Sequence, residues 1–538
     1  VGSMTWREES GHRVSFRYDG MDRLREVVNE AGSGYLFGRD LAGNISMERD
    51  YGGIERRYRR DGNGRVTLVE RPEGRSTAYA YDPMGRVLSA AYHDGSREEY
   101  GYDKNGMMTS ADNGEARIRL ERDPMGRVVG ETTGLPGGDT FTEVMSVESE
   151  YSPYGERTHV RSSLGADTEL TYDRLGLVRG VTANVENPDN NRDSQSCESK
   201  ATDTKRWGST IERDGAGREI ERFATGGIRI STDYNDMGLV RSRHVHSGDR
   251  HTGWRHYRWD VGARLMSMRC SMRGEPVIYD YDSLCNLIRG DYSLHESIFR
   301  TPDKVGNLYR EAECKGRRYD RGGRLLWDGE YHYAYDCEGN LVHKSRRDIN
   351  AGTAEKGQTC DTGGKKKAGW FRLLFGSDGI EENDRRETGG NGTADDFADW
   401  EPGDTCYRWH ANGMLAEVRT PDGKMVSFGY DALGRRVSKR TGDTLHRFGW
   451  DGNVVLHEWD TDRNRMPRLV KDETGREEYD GTEKQENLVT WVYDGTSFTP
   501  VAKVTEDERY TIVHDYLGTP TQAYDSRGGL VWEMLLDV

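Results

Sequence analysis

The chain has 538 residues, 33% of them hydrophobic, with a formal net charge of −16 and a mean hydropathy of −0.91. So acidic a balance argues against a general binder of nucleic acid or anionic membrane, and no apolar run approaches the ~18 residues of a membrane-spanning helix. Low hydrophobicity alone would suggest disorder, but 29 Tyr, 12 Trp and 67 Gly suit aromatic strands joined by tight turns.

Residues 1–13 are a lead-in without a secretory apolar region. Val1-Gly2-Ser3-Met4 reads as an expression scar, so an excised piece of a longer protein is expected. From 14 to 183 a short phrase recurs. Tyr18-Asp19, Asp40, Asp61, Tyr81-Asp82 and Tyr102-Asp103 follow one another at steps of 21 residues, which marks a repeat architecture. The fullest unit is Tyr81-Asp82-Pro83-Met84-Gly85-Arg86, and Gly106 and the pair Asp123 and Gly126 continue the series. Asp can accept a hydrogen bond from the backbone two residues on and Gly supplies a positive φ, so Asp-x-x-Gly is a tight turn. The flanking runs 75–81 and 86–92 carry Tyr, Val and Thr and read as strands. Each repeat is then a β-hairpin that must add to its neighbours' sheet, with the Tyr before each Asp expected to pack on the adjacent layer.

Register slips after Arg122: Tyr151 lies 29 residues on, and Tyr172-Asp173 a further 21. A polar insertion is expected at 184–206. The repeats resume over 207–345 with Tyr281-Asp282, Tyr319-Asp320 and Tyr335-Asp336. Steps of 17 and 16 from Asp303 to Asp320 to Asp336 predict shorter strands and tighter curvature there. A second insertion, 346–402, is rich in Gly and charge, and its apolar Trp370–Phe375 run is expected to dock on the sheet or form a short helix. Both insertions should lie outside the regular wall. Residues 403–538 return to repeats at Tyr430-Asp431 and Gly434 and stop in an apolar strand ending at Leu536. Some twenty units make about forty strands, a ribbon near 190 Å long at ~4.8 Å spacing. Strand twist must coil such a ribbon.

Catalytic chemistry finds little support. Most carboxylates sit at the repeated turn, which explains them. His244, His246, His251 and His256 fall within thirteen residues, and His-x-His alternation places His244 and His246 on one strand face as weak metal candidates. No further ligand has metal spacing, so no metal or cofactor is expected. Asp61-Gly62-Asn63-Gly64 lacks the Glu that closes a calcium loop. The seven cysteines are scattered without a Cys-x-x-Cys pair and read as free buried thiols of a protein made in a reducing compartment.

The Tyr-Asp-x-x-Gly-Arg units, together with His514–Pro520 and Tyr524–Trp532, resemble the Rhs/YD-repeat family. That resemblance implies an all-β protein, a spiralling antiparallel β-hairpin repeat sheet forming a hollow shell, or β-cocoon. In the family such shells enclose a C-terminal toxin, as in polymorphic toxins of interbacterial competition that are often delivered by type VI secretion. This chain lacks the family's closing segment, its Asp-Pro-x-Gly-Leu cleavage motif and any toxin. The role it implies here is therefore an encapsulating scaffold and not an enzyme. Its partners would be the enclosed toxin polypeptide and, through regions outside this chain, a secretion spike or adaptor and an immunity protein. Nucleic acid and a membrane span are not expected; self-association at the truncated edge is. The resemblance further implies synthesis in the bacterial cytoplasm and export by a contact-dependent or type VI route without a signal peptide. The alternative is a surface-exposed YD-repeat adhesin that binds glycans or proteins through exposed aromatics.

Overall fold

The computed structural model describes residues 2–9, 11–186, 205–292, 297–350, 397–495 and 497–535. Most of both expected insertions, including Trp370–Phe375, and Cys197 and Cys360 lie outside these residues. The described residues form 45 strands and two 3-10 turns, Pro72–Gly74 and Arg463–Arg465, with no α-helix among them. No helix among them is long and apolar enough to cross a membrane.

Strands Trp6–Glu9 through Ser297–Phe299 form one sheet of 26, in which each strand pairs antiparallel with its neighbours in sequence. Val178–Val185 pairs directly with Lys205–Arg213, Val185 opposite Lys205, so the ladder is continuous on either side of residues 187–204. The strands then shorten as the 17- and 16-residue steps predict: Thr301–Pro302, Leu308–Tyr309, Arg318–Tyr319 and Leu325–Trp327 have two or three residues each. Here the first sheet ends and a second, of 15 strands, begins and runs to Leu530–Glu533. The hairpin Leu469–Lys471 with Glu477–Tyr479 stands outside it, and Val454–Asp462 pairs directly with Glu486–Tyr493. Register shifts by one residue just before the repeated Asp, as at Ala80/Tyr81, Gly101/Tyr102 and Thr171/Tyr172. Such bulges increase local twist and bend the strand.

The wall changes thickness along the chain. No residue described between 2 and 70 is buried, whereas buried residues recur in the strands from Ser76 onward. Between 143 and 257 burial alternates along the longer strands, as in Glu143–Tyr151, Ala166–Tyr172, Lys205–Arg213 and Ile228–Tyr234, because one face meets the second sheet. Met145, Val181, Trp207 and Ile211 there share a core with Leu456, Trp459, Val492 and Ala502.

The second sheet tracks the first in step. Arg75 Nη1 lies 2.9 Å from Asp336 Oδ2 and 2.6 Å from Glu338 Oε2. Further along, Asn113 Nδ2 donates to the Tyr430 carbonyl (2.9 Å), Trp207 Nε1 to Thr511 Oγ1 (2.9 Å) and Arg255 Nη1 to Thr521 Oγ1 (3.0 Å). First partners and second partners advance together, which is the signature of a ribbon whose second winding lies on its first.

Candidate functional site: the repeated turn and the seam between windings

The repeated turn is held by one carboxylate. At Asp61 the backbone N–H donates to the Arg65 carbonyl and the Asp61 carbonyl accepts from the Gly64 N–H, each at 3.0 Å. Oδ1 accepts from the N–H groups of Asn63 and Arg65, both at 3.0 Å, and Oδ2 from Arg65 Nε at 2.7 Å. The same backbone pair closes the turns at Asp19, Asp40, Asp82, Asp103, Asp123, Asp173, Asp282, Asp320, Asp336 and Asp431. Hydrogen bonds from Arg23, first its side chain and then its backbone, hold Asp19 down at about 2. The Arg86 N–H, then its guanidinium, likewise keep Asp82 below the usual carboxylate value. Gly85, Gly106, Gly126 and Gly434 take φ of 87°, 90°, 86° and 80°, where a Cβ is strained.

Arg and Tyr link one turn to the next. Arg65 Nη1 donates to the Asp82 carbonyl at 2.9 Å and its guanidinium lies 5.0 Å from the Tyr81 ring. Arg86 repeats this on Asp103 (3.0 Å) and Tyr102 (4.8 Å). In return Tyr81 Oη donates to the Val66 carbonyl at 2.7 Å, and Tyr102 Oη to Val87 at 2.9 Å. Tyr172, Tyr281 and Tyr335 donate in the same way to Arg157, Leu265 and Leu325, Tyr18 to Met4 and Tyr319 to Leu308. Where Arg replaces Tyr it reaches the equivalent carbonyl: Arg39 Nη2 donates to Leu24 and Arg60 Nη2 to Ile45, each at 3.2 Å. In these units the Tyr hydroxyl reaches a strand-end carbonyl of the neighbouring hairpin of its own sheet, whereas Tyr524, before Asp525, packs on the other winding as expected, against Ile228, Ile230 and Val245, with its hydroxyl 2.8 Å from Thr252 Oγ1. Tyr430 departs from the rule and meets His410 edge-on, with 6.2 Å between ring centroids.

The seam between windings is polar as well as apolar. Arg157 grips Asp451 with two nitrogens, at 2.6 and 2.7 Å. Arg222 lies between Glu219 (2.7 Å) and Asp494 (2.8 Å), and these carboxylates keep it charged against the cost of burial. His457, fully buried, sits with Nε2 2.7 Å from Ser162 Oγ and Nδ1 3.0 Å from Thr490 Oγ1. Some second-winding members belong to or flank Asp-x-x-Gly turns, as Asp336 and Asp431 do and as His514 does beside Asp515, while Asp451 and Asp494 are each followed directly by Gly.

This geometry has known counterparts. A family model described as the teneurin YD-shell matches residues 9–351, and an RHS repeat model matches 409–445. The chain belongs to the teneurin YD-shell family. This YD-shell chain is 26% identical over 255 residues to the probable deoxyribonuclease RhsA of Dickeya dadantii (strain 3937), a match covering 46% of this chain and 14% of that protein. It is 29% identical over 143 residues to double-stranded DNA deaminase toxin A of Burkholderia cenocepacia (strain H111), covering 25% and 10%. The chain thus spans a small fraction of the curated relatives it matches. Among solved structures it is similar to a Photorhabdus luminescens Tc holotoxin pore (TM-score 0.58, 14% identity, 97% of this chain and 26% of that one). It is also similar to a TcdB2-TccC3-Cdc42 structure (TM-score 0.56, 13% identity, 98% and 27%).

In this YD-shell chain His244 and His246 do share a face, and His251 joins them from the paired strand. His244 Nδ1 is 3.2 Å from His251 Nε2, and the His246 and His251 rings stack at 4.7 Å. Burial, and then the neighbouring histidine charges, push His244 and His246 below the ordinary imidazole value. Among the described residues no group of three or more His, Cys, Asp or Glu is arranged to hold a metal. Of the described cysteines, all free, Cys270 and Cys406 are buried, but Cys285 is exposed because it occupies the turn's glycine position, at φ 66°. Sequence reasoning missed the bends on the opposite edge, where Asn29, Asp50 and Asn113 cap in the same manner. Their Asn-x-x-Gly and Asp-x-x-Gly spelling, half a repeat out of phase at Asn29 and Asp50, was the available signal.

Proposed function

We propose that this chain is wall material of a container that encloses a toxin polypeptide, within a longer protein used in interbacterial competition. The observation that carries the reading is the second winding seated on the first along hundreds of residues. A twisted ribbon that stacks on itself closes sideways and bounds a space, whereas an adhesin needs only an extended array. The wall itself carries no catalysis in this reading, since its carboxylates are committed to turns and its charged clusters to the seam. Its segments are 14–185, 205–345 and 403–538, since Asn184 pairs with Arg206 and Val185 with Lys205 in the ladder. Synthesis in the cytoplasm, export by a contact-dependent or type VI route, and adaptor and immunity proteins acting through other regions belong to the same proposal. So does self-association through strand Leu530–Glu533, whose Leu530, Val531 and Trp532 are exposed.

Small-angle scattering from the purified chain tests the container. The expected pair-distance distribution is that of a compact particle with a depleted centre. A particle without a depleted centre, or a straight rod, would remove the reading and put the adhesin in its place.

A further inference from the structure

On the first winding, strands Arg97–Tyr102, Met108–Asp112 and Arg117–Arg122 line a groove of about 520 Å³ that Leu88 and Phe141 border. Its floor is made of small residues: Ser110 is paired with Gly101 on one side and Arg119 on the other. A Cβ on Gly101 would come within 2.3 Å of Ser110 Oγ, so a larger residue there would turn that hydroxyl aside.

Three arginines line the groove, and two are neutralised in place. Arg97 Nε lies 2.9 Å from Glu99 Oε1, and Arg117 Nε 2.8 Å from Asp112 Oδ2. Arg119 is exposed and forms no ion pair with a carboxylate among the described residues. Its guanidinium lies instead over the Phe141 ring, 3.9 Å from the centroid. The ring rests on Gly134, where a Cβ would come within 2.7 Å of it. Gly134, Phe141 and Arg119 thus form a stack that fixes the plane of the guanidinium while leaving its edge open.

We propose that this groove is a binding site for a carboxylate side chain carried on an extended peptide segment next to an apolar residue. A guanidinium stacked on an aromatic ring presents its N–H fork to a carboxylate with little orientation left to lose. Leu88 and Phe141 supply apolar surface beside it for the neighbouring residue. The lining charge, three Arg against Glu99 and Asp112, is positive in a chain of net charge −16, so an acidic ligand meets a locally complementary field. The site stands independently of the container reading.

The test compares two blocked dipeptides, acetyl-phenylalanyl-glutamate amide and its glutamine counterpart, by ligand-observed NMR on the whole chain. The glutamate peptide should bind at least ten-fold more tightly. Arg119→Gln should remove that preference, and Arg119→Lys should fail to restore it, because it keeps charge but not the fork. Both substitutions are at an exposed position and leave the fold in place. Gly134→Val, which displaces the Phe141 ring, should weaken binding through loss of the stack. Equal binding of the two peptides, an unchanged preference in Arg119→Gln, or tighter binding of inorganic phosphate than of the glutamate peptide would overturn the proposal.

Discussion

Glu131 Oε1 lies 2.6 Å from Nη1 of Arg435, 304 residues further along the chain, with both side chains less than a tenth exposed. Glu131 Oε2 also accepts from the Gly452 N–H at 3.0 Å, and Arg435 donates to Asp431 and to the Gly452 carbonyl. Burial pushes the Glu131 carboxyl up against the pull of Arg435, while the two carboxylates hold Arg435 charged despite its own burial. Such a pair adds little net stability over an apolar one, but removing one partner strands the other. Glu131→Ala should therefore cost about 3–5 kcal/mol in urea unfolding, and the double change Glu131→Leu with Arg435→Met should recover most of it. If single and double variants lose equally, the pair does not set the seam.

That pair also marks the limit of what the sequence made legible. The hairpins, the turn residues and the shortened strands near Asp320 and Asp336 follow from local spacing, because each depends on residues within one repeat. The link from Arg65 to Asp82 was only half visible: the period was plain, but which atoms meet across it depends on the bulge before each Asp. The seam was not visible. Arg75 meets Asp336 261 residues on, Arg157 meets Asp451 294 on, and Arg435 meets Glu131 304 back, so no fixed spacing recurs. Nor does Arg119 differ in sequence from arginines that pair; only the loop that brings Phe141 onto it singles it out.

The turns predict a sign reversal. Ala263 occupies the turn's glycine position at φ 62°, while Gly43 holds it at 91°. A Cβ in this region costs about 1–2 kcal/mol, partly offset by the greater chain entropy glycine loses on folding. Ala263→Gly should stabilise by up to about 1 kcal/mol and Gly43→Ala should destabilise by about the same or more. Thermal melting of the two variants checks this; shifts of the same sign would contradict it.

The ladder between turns predicts that Arg86 is not replaceable by lysine. Its Nε bonds Asp82, its Nη1 the Asp103 carbonyl, and its plane faces Tyr102. Lys can satisfy one of these at a time. Arg86→Lys and Arg86→Ala should each cost about 1–2 kcal/mol, and hydrogen exchange should accelerate at the Asp103 turn in both. Wild-type exchange in Arg86→Lys would show that charge alone suffices.

Acid should loosen the seam well before it dissolves the turns. Burial pushes His457 down to about 3, and burial followed by the Arg243 and Arg222 charges pushes His514 down to about 4. His457 faces the hydroxyls of Ser162 and Thr490, and His514 lies near Asp494 and Glu219 as well as those arginines. Both are bases with folded values below the unfolded ~6.5, so the folded state binds fewer protons. Their contribution is complete above about 6.5 and is lost as pH falls towards about 4 and 3, by up to about 1.4 kcal/mol per pH unit for each. The turn carboxylates run on a lower window: Asp82 lies below its ordinary value, so its contribution is present above about 4 and lost only under it. Urea midpoints for the whole chain at pH 7, 5.5 and 4.5 should therefore fall steadily. In a His457→Gln, His514→Gln variant the pH 7 midpoint should be lower and the decline between pH 6.5 and 4.5 clearly shallower. A double variant that declines as steeply as the unsubstituted chain would place the acid-sensitive groups elsewhere.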